Sequence, residues 1–97
     1  MIVERRTYRA KYGSNQAAAE FAKKAQETLG YPNVKRTYTP ISGANNIICQ
    51  EFEFKDWQER EDYWAAFFAL PQIPEWIETW STMVGPGGSI EFLTLVE

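Results

Sequence analysis

The sequence predicts one α+β domain: a four-stranded antiparallel sheet with two helices on one face, in the order strand–helix–strand–strand–helix–strand. Three observations lead there. Segments rich in branched and aromatic residues alternate with segments whose apolar residues recur at helical spacing. Gly, Asn and Pro fall between these segments. The chain has 97 residues, enough for a single domain, 1–97, and not for two.

Residues 2–12, IVERRTYRAKY, hold no breaker and predict the first strand, ended by Gly13. Ser14 or Asn15 can cap a helix that runs to Leu29. Ala18, Phe21, Ala22, Ala25 and Leu29 form its apolar face, and Glu20, Lys23, Lys24, Gln26 and Glu27 are expected in water. Gly30 and Pro32 supply its stop. Residues 34–41 predict a second strand and 47–54 a third, joined by turn residues at 42–46 into a hairpin. Asp56, with Glu59 three positions on, resembles a capping box. It opens a helix with a wide aromatic side made of Trp57, Tyr63, Trp64, Phe67, Phe68 and Leu70. Pro71 and Pro74 break this helix, and 75–84 resumes as a short one with Trp76, Trp80 and Met83 at helical spacing. Gly85-Pro86-Gly87-Gly88 reads as a plain loop and 89–96 as the fourth strand. This is the split βαβ, ferredoxin-like order. Right-handed crossovers put both helices on one sheet face and leave the other bare.

The bare face carries a consequence. A solvated sheet face alternates cleanly with an apolar one, yet strands three and four are apolar on both sides. Ile48, Phe52 and Phe54 share a side with Gln50, while Ile47, Cys49, Glu51 and Glu53 lie opposite; Ile90, Phe92 and Val96 oppose Leu93 and Leu95. A second copy of the chain is the economical cover, so the sequence predicts a homodimer through the free sheet face.

Composition excludes several functions. The chain has no His, which removes Ser-His-Asp and Cys-His catalysis, His metal sites and axial His ligation of haem. No metal site and no cofactor are expected. No Ser stands in a G-x-S-x-G elbow, and no G-K-[ST] follows the Gly-rich segment at 85–88. Net charge is −3 with no basic run, so nucleic acid is not an expected partner. No apolar stretch reaches the roughly 18 residues of a membrane span. Charges begin at Glu4 with no apolar stretch after them, so a signal peptide is not expected. The single Cys49 has no disulfide partner, which fits a cytoplasmic setting.

Glu4, Arg6 and Tyr8 alternate and therefore project from one strand face. They have two readings: an ion pair that fixes register or a dimer seam, or a polar cluster in a ligand cleft. Glu91 and Gln50 are their expected neighbours. Trp64, Phe67 and Phe68 likewise read either as core beneath the helices or as cleft walls.

Glu4-Arg5-Arg6-Thr7-Tyr8, with the Gly13 that follows, resembles the E-x-R-x-Y opening strand of NIPSNAP-type proteins. Gly43 to Asn46 resembles that family's G-x-x-N segment, and 56–76, with Glu61, Trp64 and a later Pro-Glu-Trp, its second helix. The resemblance implies the dimeric α/β-barrel superfamily, in which two ferredoxin-like sheets face each other and enclose a cleft. Tyr12 stands where a Pro often precedes the Gly. Gln50 stands where many relatives have His, and an amide orients a ligand but does not exchange protons near neutral pH. Two functions remain. The first is an uncharacterised NIPSNAP-like protein binding a small, partly apolar molecule in a cleft lined by Glu4, Arg6, Tyr8, Gln50, Trp64, Phe67 and Phe68. The second is a cofactor-independent monooxygenase- or isomerase-type enzyme acting there on a small aromatic or polyketide-like substrate.

Overall fold

The structure is a computed structural model that describes residues 1–29, 33–41 and 46–96, the side chains of Thr28 and Leu29 excepted. Its elements are β1 (Ile2–Ala10), α1 (Asn15–Leu29), β2 (Val34–Tyr38), β3 (Ile47–Phe54), α2 (Trp57–Phe68), α3 (Ile73–Ser81) and β4 (Val84–Thr94). The sheet is antiparallel in the order β2-β3-β1-β4, so the ferredoxin-like arrangement expected from the periodicity is present. The Gly30–Pro32 stop and most of the 42–46 turn lie outside the described residues.

Register decides which side chains meet. Glu4 pairs with Phe52, Arg6 with Gln50 and Tyr8 with Ile48, all on the helix-covered face. On the other edge of β1, Glu4 meets Phe92, Arg6 meets Ile90 and Tyr8 meets Gly88. The open face carries Arg5 opposite Glu51 and Glu91, and Thr7 opposite Cys49. Glu91, expected beside Glu4 and Arg6, therefore sits on the wrong face to reach them. The period of two makes that inevitable, because Glu91 faces Arg5 across the ladder.

Several boundaries move. β1 stops at Ala10 and β2 at Tyr38, short of the predicted 12 and 41. The short helix expected at 75–84 is present as α3 and adds to the two helices of the ferredoxin-like order. It starts earlier than position 75 because Pro74 occupies its first turn, where a missing N–H costs nothing. It ends at Ser81, so Met83 and Val84 leave the helix, and the Met83 carbonyl accepts from the Lys11 N–H at 2.8 Å.

The Gly-rich segment at 85–88 is part of β4, not a loop. The β1–β4 register slips between Tyr8 and Ala10, which marks a bulge beside it. Gly88 has φ +113°, and a Cβ there would lie 2.2 Å from the Thr7 carbonyl oxygen. Only glycine lets the two strands approach this closely.

Two apolar clusters lie under the helices. One joins Ala10, Ala18, Ala19, Ala22, Ile48 and Trp80, with Tyr8, Phe21 and Trp76 packed on it. The other joins Phe52, Phe54, Tyr63, Phe67 and Ile73, with Trp64 and Leu70 alongside. Gln26, expected in water, is buried instead and accepts from the Tyr63 hydroxyl at 3.0 Å. It continues the i, i+4 row of Ala18 and Ala22, so the helical face carries it inward. α2 begins as the capping box predicts: the Asp56 carboxylate accepts from the Glu59 N–H at 2.9 Å. Glu59 reaches back one residue further than expected, to the Lys55 N–H at 2.9 Å.

Candidate functional site

β1 supplies the polar part of the site. Glu4 is wholly buried, and its carboxylate accepts from three side chains. Arg6 Nε donates to Oε2 at 2.6 Å, Arg60 Nε to Oε1 at 2.8 Å, and Trp64 Nε1 to Oε1 at 3.2 Å. Burial pushes this carboxyl up, but the hydrogen bonds from Arg60, Arg6 and Trp64 and the Arg6 charge outweigh it and hold Glu4 below the usual carboxylate range. Glu4 is therefore ionised, with both oxygens occupied.

The Arg6 guanidinium is held on two sides. Its Nε is spent on Glu4, and its carbon lies 4.1 Å from the centre of the Trp64 ring. Such stacking adds a cation–π attraction. Its terminal nitrogens make no hydrogen bond to a carboxylate among the described residues. Burial pushes the hydroxyl of Tyr8, two residues on, above the ordinary phenol value, against the charge and the hydrogen bond of Arg6. At neutral pH it is a hydrogen-bond donor. Gln50 is buried opposite Arg6; its amide N–H₂ donates weakly to the Thr37 hydroxyl at 3.4 Å. Its carbonyl oxygen has no partner among the described residues.

These groups open into a cavity of about 190 Å³ between the sheet and helices α2 and α3. Arg6, Tyr8, Gln50, Trp64, Phe67 and Phe68 all line it, so six of the seven residues singled out from the sequence converge. Glu4 is not in its wall; it stands behind Arg6 and Trp64 as their anchor. The cavity lies on the seam between the two apolar clusters, taking Tyr8, Trp76 and Trp80 from one and Phe52, Trp64 and Phe67 from the other.

The aromatic side of α2 is thus divided between the two roles left open. Tyr63 and Phe67 are buried in the core, Trp64 is half-buried at the cavity wall, and Phe68 is exposed at its mouth. Trp57 takes neither role and packs edge-on against Phe92 of β4, ring centres 5.0 Å apart.

The wall also includes residues that sequence reasoning did not assign to a site: Gln26, Phe52, Trp76, Ile77 and Trp80. The spacing of Trp76 and Trp80 marked them as one helical stripe, but nothing in the chain says that α3 faces α2 across a gap. Arg60 was missed as well. Its ion pair with Glu4 spans 56 residues, and periodicity carries no signal over that separation. Among the described residues no group of three or more His, Cys, Asp or Glu could hold a metal ion, and no helix is long and apolar enough to cross a membrane.

Solved structures share this fold. An uncharacterized NIPSNAP domain protein from Burkholderia xenovorans superposes at TM-score 0.86 with 20% identity, over 99% of this chain and 95% of its own. A NIPSNAP family protein from Agrobacterium tumefaciens gives TM-score 0.86 with 15% identity, over 99% and 93%. An antibiotic biosynthesis monooxygenase gives TM-score 0.65 with 9% identity, over the full length of both chains. No family model and no curated protein matches the sequence. The NIPSNAP-type fold implied by the E-x-R-x-Y strand is the fold found; at these identities the likeness is one of architecture.

Proposed function

We propose that the chain is a NIPSNAP-like protein that binds a small, partly apolar molecule in the cavity between sheet and helices. The convergence of Arg6, Tyr8 and Gln50 with an aromatic wall around one cavity carries this reading. Apolar walls with a few placed polar groups are the common form of a ligand site. Amide-resolved NMR titration with benzyl alcohol, a neutral single-ring probe, tests it. Shifts are expected at Tyr8, Gln50, Trp64 and Phe68, with a rise in melting temperature, because a ligand of the folded state stabilises it. Absence of shifts, or shifts confined to the open sheet face, sinks the reading.

The second reading is a cofactor-independent enzyme of monooxygenase or isomerase type. The shared architecture with an antibiotic biosynthesis monooxygenase favours it. The cavity chemistry weighs the other way. Tyr8 keeps its proton at neutral pH, Glu4 has both oxygens engaged, and Gln50 does not titrate. Tyr8 and Gln50 donate hydrogen bonds, the Glu4 carboxylate accepts them, and none of the three is a free base.

Assembly belongs to the same proposal. The open face combines Val3, Leu93 and Leu95 with an Arg5–Glu51 pair at 3.0 Å and an Arg36–Glu51 contact at 3.7 Å. A second copy laid on that face brings apolar area and charges of both signs. Leu93→Lys is expected to convert a sedimenting dimer to monomer with the fold retained; a wild-type monomer at high concentration refutes this part. A cytoplasmic setting fits the unpaired Cys49.

A further inference from the structure

We propose that the molecule taken up by the cavity is a single-ring aromatic monocarboxylate, its carboxylate on the Arg6 guanidinium and its ring against the indoles of Trp64, Trp76 and Trp80. This rests on the reading of the cavity as a small-molecule site and adds charge and size to it.

Charge comes first. Around Glu4 two guanidiniums share one buried carboxylate, and Glu4 engages Arg6 through its Nε. Arg60 has a second partner at the surface, Glu61 at 3.0 Å. Arg6 has no such second carboxylate and faces the cavity, where it is the one ionised side chain among the described lining residues. A cation in an otherwise uncharged, largely aromatic wall is a site for an anion. The terminal nitrogens of Arg6 and the Tyr8 hydroxyl are all donors, which suits the two oxygens of a carboxylate.

Preorganisation comes second. The Glu4 bond at 2.6 Å and the Trp64 stack fix the guanidinium before any ligand arrives. Little side-chain entropy is then lost on binding. Glu4 is a positioning residue here, acting through Arg6.

Size comes third. A cavity of about 190 Å³ is only slightly larger than the roughly 150 Å³ engineered cavity that takes up one benzene. It accommodates one ring with a small substituent; a fused bicycle must project past Phe68 and Ile77, the exposed residues at the rim. The indoles of Trp76 and Trp80, stacked with centres 5.4 Å apart, add aromatic surface to the wall that meets that ring.

The test compares benzoate with benzamide, its neutral isostere, by titration of the wild-type chain at pH 7.5, read from tryptophan fluorescence and the indole N–H resonances. Benzoate is expected to bind about tenfold or more tightly than benzamide, as charge-assisted hydrogen bonds require. Arg6→Met is expected to abolish that preference by weakening benzoate far more than benzamide, with Glu4 still paired to Arg60. Should that variant not fold, the wild-type benzoate-to-benzamide ratio decides by itself. Equal affinities overturn the anion assignment while the cavity reading stands. Binding of neither compound overturns both. A 2-naphthoate affinity far above that of benzoate overturns the single-ring limit.

Discussion

Replacing Glu4 by Gln removes one charge from the centre of the site and almost no volume. In the wild type the carboxylate is wholly buried and accepts from Arg6, Arg60 and Trp64. An amide keeps one accepting oxygen and turns an N–H₂ towards a guanidinium. Removing one partner of a buried ion pair costs about 3–5 kcal/mol. The Arg6 and Arg60 side chains keep 18% and 21% exposure and regain some hydration, so the low end applies, about 3 kcal/mol. With a urea dependence of about 1.5 kcal/mol per molar, the unfolding midpoint falls by about 2 M. The pH dependence has a definite sign. The folded carboxyl titrates below its ordinary value of 4.5, so its contribution is complete above that value and is lost as pH falls through the lower folded one. The gap between wild type and Glu4→Gln is therefore constant from pH 7 to about 4.5 and closes below it. Urea unfolding followed by circular dichroism at pH 7, 5 and 3 reads the gap directly. A variant as stable as wild type at pH 7, or a gap unchanged at pH 3, refutes the account of Glu4 as a paired, ionised anchor.

Three further outcomes follow from named contacts. Phe52→Ala empties a fully buried position between Phe54, Tyr63 and Trp64 and is expected to cost about 3–5 kcal/mol, read as loss of a cooperative thermal transition or a large fall in its midpoint. Gly88→Ala forces a Cβ into the Thr7 carbonyl at a positive φ, so the β1–β4 ladder opens; faster amide exchange along residues 84–94 than in β3 is the expected signature. Burial pushes the Cys49 thiol above its ordinary value despite nearby Thr7 and Arg5, so alkylation by iodoacetamide at pH 8 is expected to run several-fold slower than that of glutathione. A rate equal to that of glutathione contradicts the placement of Cys49.

The chain alone determined the element order, the hairpin and the pairing of Glu4, Arg6 and Tyr8 on one face. Each of these is a local matter: strand period, helix period and turn chemistry act over a few residues. It also determined the α2 cap, where Asp56 and Glu59 meet as their spacing says. Tertiary structure decided the rest. Gln26 lies on the buried row of α1, and the Tyr63 hydroxyl, 37 residues away, gives its amide oxygen a partner there. The Gly-rich segment became strand because β1 offers it a partner and only glycine fits against Thr7. Arg60 joined Glu4 across 56 residues, so Glu4 ties the strand to α2, while Arg6 lines the cavity. Local spacing could place the aromatic residues on helix faces. Which of them fill the core and which border an opening depends on how α2 and α3 sit over the sheet, and that is set by packing between elements distant in sequence.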